Sequence, residues 1–202
     1  MQSPWTLLPE HKRIVLLTDG FSTPFYAKTA MSLIRYRSQD SVAVIDQEHA
    51  GRDAFELFGV GRGIPVVDDV TQFPDADAIY LGIATPGGRI PDRWSPMIRQ
   101  AITMGMDVVS GLHQFLIDVP EYLELAQASG SRLVDIRRNN FKTTAKCRKF
   151  REGCLRIHTV GHDCSVGKMV AAVEIERELL ARGLDAKFVA TDQTGIMISG
   201  EG

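Results

Sequence analysis

The chain has 202 residues, 44% of them hydrophobic and 24% charged, with a formal net charge of −2 and three cysteines. This is ordinary globular composition, long enough for one large or two small domains, and the near-neutral balance gives no electrostatic basis for nucleic-acid binding. No apolar run approaches the ~20 residues of a membrane-spanning helix, residues 1–10 lack the basic-then-apolar order of a signal peptide, and an odd cysteine count without metal-ligand spacing points to reduced thiols in a cytoplasmic protein with no bound metal.

In chain order, residues 1–11 read as a polar lead-in, and 13–18 (RIVLLT) as a strand buried on both faces, because the apolar run is continuous. Asp19 and Gly20 turn the chain, and 24–37 reads as a helix with Ser22 and Thr23 as caps and Pro24 in its first turn. Further strands are expected at 41–46, 64–67, 77–84, 106–110 and 132–136, and further helices at 91–105 and 119–128. Strands alternating with helices predict an α/β fold with a doubly wound parallel sheet, a Rossmann-like domain over 1–136. In such sheets ligands sit beyond the carboxyl ends of the strands.

Several side chains fall at those ends. Asp46 would hold a ribose in a dinucleotide-binding sheet, but the first turn, Asp19-Gly20-Phe21-Ser22, is not G-x-G-x-x-G, so that reading is weak. Gly59-Val60-Gly61-Arg62-Gly63 reads as a loop. Thr85-Pro86-Gly87-Gly88-Arg89 directly follows a strand; Gly87 and Gly88 allow close backbone approach, and Arg89 is either a bidentate carboxylate ligand or a solvated surface arginine. His113, also just past a strand, has the titration range of a general base, although a structural loop histidine is the simpler reading.

Arg137, Arg138, Lys142, Lys146, Arg148, Lys149 and Arg151 crowd a segment poor in aliphatic residues, read as a basic linker over 137–153. Only Phe141 and Phe150 could stack on bases there, so a nucleic-acid patch is not expected, but the linker could lend a cation to phosphates bound further on.

The densest signal follows. Residues 155–160 (LRIHTV) read as a buried strand, and Met169, Ala172, Val173, Leu179 and Leu180 as one face of a helix reaching Arg182 and stopping at Gly183. Between them lie Gly161, His162, Asp163, Cys164, Ser165, Val166, Gly167 and Lys168. Strand, glycine-bounded loop, Gly-Lys and helix are the context of a phosphate-binding P-loop, in which backbone N–H groups and the helix N-terminus favour an anion. Met169 stands where a Ser or Thr hydroxyl normally holds Mg²⁺, and a thioether is a poor ligand for that hard ion. The loop is therefore expected to grip a phosphate without a metal; Cys164 has no visible catalytic partner. Residues 187–191 read as a second strand ending in a turn, which places Gln193 and Thr194 beside the loop as substrate or phosphate contacts. One helix and two strands cannot bury both faces of a sheet, so 154–202 is expected to be the start of a P-loop α/β domain, truncated here.

The loop, with Asp third and Val before Gly-Lys, resembles the G-T-D-x-x-V-G-K-T loop of dethiobiotin synthetase, with His162 in place of the Thr. The whole chain resembles the first part of a two-domain bacterial and archaeal family, Rossmann-like then P-loop, long known as a domain of unknown function. The resemblance rests on Lys28-Thr29-Ala30, Leu33-Ile34-Arg35-Tyr36-Arg37, His49-Ala50-Gly51-Arg52-Asp53, Gly82-Ile83-Ala84, Pro86-Gly87-Gly88-Arg89 and Val109-Ser110-Gly111-Leu112-His113. The P-loop and Gln193-Thr194-Gly195 complete the set.

The resemblance implies D-glutamate N-acetyltransferase activity with acetyl-CoA in D-amino-acid catabolism. The loop would then hold CoA phosphates and Arg89 or Arg52 a substrate carboxylate. His113 or another base would deprotonate the amine, and the amides of Gly87 and Gly88 would face the oxyanion. Two alternatives stay open. An ATP- and Mg²⁺-dependent ligase or carboxylase of the dethiobiotin synthetase type is favoured by loop spacing and opposed by Met169. A non-catalytic nucleotide-binding protein is favoured by the lack of a strand carboxylate after the loop. In each case the partner is a small molecule and the protein is expected to be a homo-oligomer.

Overall fold

The structure, a computed structural model, describes residues 8–138, 152–163 and 165–201. Cys164 and most of the basic linker, including Lys142, Lys146, Arg148, Lys149 and Arg151, lie outside the described residues.

Six strands, β1 (Ile14–Leu17), β2 (Ser41–Ile45), β3 (Val66–Val67), β4 (Ala78–Leu81), β5 (Asp107–Ser110) and β6 (Leu133–Asp135), form one sheet in the order β3-β2-β1-β4-β5-β6. Every neighbouring pair is parallel. This is the 3-2-1-4-5-6 order of a doubly wound sheet, with the topological switch between β1 and β4. The helices are α1 (Lys28–Tyr36), α2 (Ala54–Phe58), α3 (Ser95–Thr103) and α4 (Pro120–Ser129), then α5 (Lys168–Ala181) and α6 (Gln193–Ser199) in the second half.

The period-two alternation of each strand divides the core into two layers. Val15, Leu17, Ile79 and Val108 pack with Trp94, Ile98, Ile102 and Tyr122 on the α3–α4 side. Ile14, Leu16, Tyr80 and Val109 pack with Leu33, Ile34 and Phe58 on the α1–α2 side. Met197 of α6 joins that second layer, so the P-loop half is docked onto the Rossmann-like half through its core.

Four expectations need correction. The first helix begins at Lys28 and not at 24, with Ala27 as its uncapped start. Ser22 is drawn instead to the Asp46 carboxylate, and Thr23 caps only the short turn before Tyr26. The strands expected at 155–160 and 187–191 do not form. Leu155 is 87% exposed, Val160 79% and Val189 66%, because a strand needs a hydrogen-bonded neighbour and an apolar cover, and among the described residues these segments have neither. The turn expected at 192–195 is the start of α6: Asp192 accepts the Gly195 N–H at 2.7 Å and serves as N-cap, which outweighs the glycine as a breaker. A similar device, a capping box of Asp53 and Glu56, starts α2.

Beneath the amino ends of the strands, the buried His11 hydrogen-bonds Tyr80 Oη at 3.0 Å through Nδ1 and Asp107 Oδ2 at 2.9 Å through Nε2. Arg132 Nε donates to the same carboxylate at 2.7 Å, and Arg37 Nη2 donates to the His11 carbonyl at 2.6 Å. Burial pushes the Asp107 pKa up, but the hydrogen bonds from His11 and Arg132 outweigh it and hold the carboxyl below its ordinary value. A depressed carboxyl pKa stabilises the fold above the unfolded value near 4, and that stabilisation is lost as pH falls through the folded value. Asp107→Asn should therefore cost about 2 kcal/mol at pH 7, measured by denaturant unfolding. The gap to the parent protein should narrow as the pH is lowered below about 4.

Candidate functional site

The crevice where dinucleotide-binding sheets hold their ligand is occupied by the protein's own side chains. Asp46, fully buried at the end of β2, accepts from Ser22 Oγ, from the Gly20 N–H at 3.2 Å and from the Glu48 N–H at 3.0 Å. His49 Nδ1 lies 2.9 Å from its other face. Burial raises the Asp46 pKa, yet the bonds from Ser22 and His49 bring it below the ordinary carboxyl value. Arg93 lies over Gly20 and pairs with Asp19, and Trp94 Nε1 donates to the Asp19 carbonyl at 2.9 Å. Asp46 is thus consumed in holding the first turn.

At the ends of β4 and β5 two turns are stitched together. The Gly88 carbonyl accepts the N–H groups of His113 at 2.8 Å and Gln114 at 3.1 Å, while Gln114 Oε1 accepts the Ile90 N–H at 3.0 Å. Gly88 has φ +61° and lies against the His113 ring, 2.4 Å from where a Cβ would stand, so both conformation and space call for glycine. The stitch presents the Arg89 and His113 side chains, both exposed, on adjoining turns. Arg52 lies towards the β3 edge, where its Nε pairs with Glu56 at 3.0 Å.

The P-loop faces α1. Ser165 (φ +58°) and Gly167 (φ +92°) turn the loop into the N-terminus of α5, and Ser165 is the one non-glycine with positive φ among the described residues. Lys168, the first residue of α5, curls back so that Nζ donates to the Asp163 carbonyl, and Thr159 Oγ1 donates to the Lys168 carbonyl at 2.9 Å. From the other half, Lys28 Nζ donates to Ser165 Oγ at 2.8 Å. Thr29 and Thr194 hydroxyls meet at 3.0 Å, Tyr36 Oη donates to Glu174 at 2.8 Å, and Arg37 Nη1 donates to the Met197 carbonyl at 3.1 Å. Arg137 Nε donates to the Gly111 carbonyl at 2.6 Å.

Between α1 and the loop lies a cleft of about 580 Å³, lined by Lys28, Met31, Arg35 and Tyr36 of α1, Ser165, Gly167, Lys168 and Met169 at the loop, Gln193 and Thr194 of α6, and Arg137. The volume suits a small-molecule ligand. Four cationic residues, Lys28, Arg35, Arg137 and Lys168, line it; the carboxylate in its wall, Asp192, is engaged as the α6 cap. The donor set fits a phosphorylated anion. Met169 lines the cleft at the position of the usual metal-holding hydroxyl, and among the described residues no group of three His, Cys, Asp or Glu gathers to hold a metal.

The structure therefore brings together Ser165, Gly167, Lys168, Met169, Gln193 and Thr194 of the sites expected from sequence. Gly161 lines a smaller space behind the loop, and His162, Asp163 and Val166 belong to the loop without lining the cleft. His113, Gly87, Gly88, Arg89 and Arg52 do not line it either. Sequence reasoning passed over Lys28, Arg35 and Tyr36 as ligand contacts; their signal was the spacing 28, 31, 32, 35, 36 on one face of α1.

Two family models match the chain: a Rossmann-like domain of unknown function (DUF1611_N) over residues 47–139 and a P-loop domain of unknown function (DUF1611_C) over residues 143–202. The chain belongs to the DUF1611 family. It is 40% identical over 179 residues to a D-glutamate N-acetyltransferase of Tritonibacter scottomollicae, covering 87% of this chain and 50% of that protein. It is 39% identical over 127 residues to a D-glutamate N-acetyltransferase of a Pseudoalteromonas species, covering 63% of this chain and 38% of that protein. A crystal structure of a DUF1611 family protein from Anabaena variabilis superposes with a TM-score of 0.80 at 33% identity, covering 95% of this chain and 56% of that one. The chain spans about half the length, or less, of the curated relatives it matches.

The two halves meet closely at Gly111, where a Cβ would lie 2.6 Å from Gln193 Cγ and 2.9 Å from its Cβ. Gly111→Ala should destabilise the docking of α6 by about 1–3 kcal/mol. Hydrogen exchange should rise in Gln193–Ser199 while the amides of β1 and β4 keep their protection.

Proposed function

We propose that this chain carries the cofactor-gripping part of an acetyl-CoA-dependent N-acetyltransferase acting on a small D-amino acid such as D-glutamate. The observation that carries the reading is the cleft itself: four cationic residues line it beside the N-terminus of α5, and Met169 there supplies no metal-holding hydroxyl. Such a site suits a phosphate that is held and not cleaved. The names of the two curated relatives supply the substrate class.

Acetyl-CoA, when bound, would supply the acyl group as an activated thioester. The loop amides and Lys168 hold its phosphates. Arg89 is the candidate for the amino-acid carboxylate, and His113 the candidate to take a proton from the substrate amine. The Gly88 N–H is spent on the Thr85 carbonyl at 3.0 Å, which leaves the Gly87 N–H on the same turn as the candidate donor to the developing oxyanion.

Acetyl transfer from acetyl-CoA to D-glutamate, followed as thiol release, should proceed in EDTA. Lys168→Ala should raise the KM for acetyl-CoA at least tenfold, the worth of about 1.4 kcal/mol. His113→Ala should lower kcat by about 10²-fold or more without moving that KM. Phosphate release from ATP that requires both substrate and Mg²⁺ would replace this reading with the ligase.

A further inference from the structure

We propose that α1 reads the ligand together with the P-loop: Lys28 shares the pyrophosphate with Lys168, and Arg35 takes a second phosphate set off from it across a ribose. This rests on the acyl-CoA reading of the cleft and adds the residues that tell CoA from a ligand lacking its ribose phosphate.

The cleft-lining residues of α1 are Lys28, Met31, Ser32, Arg35 and Tyr36, spaced i, i+3, i+4, i+7 and i+8, a single helical stripe. The stripe contains no acidic residue. Its two cations are seven residues apart, about 10 Å along the axis at 1.5 Å per residue. Met31 and the Tyr36 ring supply apolar surface along the same face. A ligand complementary to it carries anionic charge at two separated points with a less polar body between them. Pyrophosphate, ribose and ribose phosphate match that order.

Lys28 already reaches the loop. Its Nζ is 2.8 Å from the hydroxyl of Ser165, which has φ +58° in the P-loop, so exchanging that hydroxyl for a phosphate oxygen requires side-chain motion only. The stripe is held in place at Thr29–Thr194, Tyr36–Glu174 and Arg37–Met197, so both cations project from a rigid element. With Met169 in the metal position, the charge a Mg²⁺ would neutralise falls to fixed cations, and Lys28 reaches the loop from the facing half.

The test is calorimetric titration in EDTA of the protein and of Lys28→Met, Arg35→Met, Arg35→Lys and Lys168→Met with CoA and dephospho-CoA. Circular dichroism checks that each variant is folded. The parent protein should bind CoA at least tenfold more tightly than dephospho-CoA. Arg35→Met should bind the two equally, at the parent's dephospho-CoA affinity, and Arg35→Lys should restore part of the difference. Lys28→Met should lose about tenfold for both ligands. Undiminished discrimination in Arg35→Met, or unchanged affinity in Lys28→Met, overturns the role of α1 while leaving the P-loop reading intact. No CoA binding by the parent, or full binding by Lys168→Met, overturns the P-loop reading and this inference with it.

Discussion

The packing of α1 is the constraint on which the rest of the molecule depends. Its nine residues serve two surfaces at once. Thr29, Ala30, Leu33 and Ile34 are buried against the sheet, and Gly82 lets the Ala30 methyl come within 2.8 Å of where its own Cβ would be. Roughly 100° around, Lys28, Met31 and Arg35 line the cleft. Remove the inner face and the P-loop half has nothing to lie on, because Met197 is buried in the same layer as Leu33 and Ile34. The position of the phosphate loop therefore follows from the hydrophobic core of the Rossmann-like half.

This arrangement bears on how the cleft manages charge. Three of the cationic residues that line it donate to neutral oxygens: Lys168 to the Asp163 carbonyl, Lys28 to Ser165 Oγ and Arg137 to the Gly111 carbonyl. A neutral oxygen compensates a cation only partly, so a polyanion would form stronger, charge-assisted bonds to the two lysines. A carboxylate in the same places would lock the lysines in ion pairs. Asp192, the acid that does lie in the wall, is directed to the Gly195 N–H.

The Rossmann-like sheet was legible from its continuous apolar runs, since RIVLLT at 13–18 and MDVVS at 106–110 admit few other readings. The P-loop was legible because glycine spacing and a lysine encode backbone geometry directly. The two strand expectations failed for a shared physical reason: those for 155–160 and 187–191 relied on local propensity, and a strand is a property of a pair. LRIHTV has the β-branched residues but no hydrogen-bonded neighbour among the described residues, so propensity alone leaves it extended and exposed. The cleft was half legible. Its loop side is a motif, whereas its α1 side is a stripe of Lys28, Met31, Arg35 and Tyr36 whose meaning appears only once something faces it.

The closure of the sheet's own crevice explains why that facing surface matters. In a dinucleotide-binding sheet, glycines in the first turn let the pyrophosphate reach a helix N-terminus, and the acid ending the second strand meets a ribose. Here Asp46 spends its acceptor capacity on Ser22, Gly20, Glu48 and His49, and Arg93 covers the turn. Opening it would leave a buried carboxylate short of partners, a cost of several kcal/mol that a ligand would have to offset. The same bonds brace the segment between β1 and α1 and so set where Lys28 begins its helix. The side chains that seal the crevice thus also brace the element that lines the cleft. The strand order of a dinucleotide-binding sheet is kept, while the polar groups at the end of its second strand are spent on the fold itself.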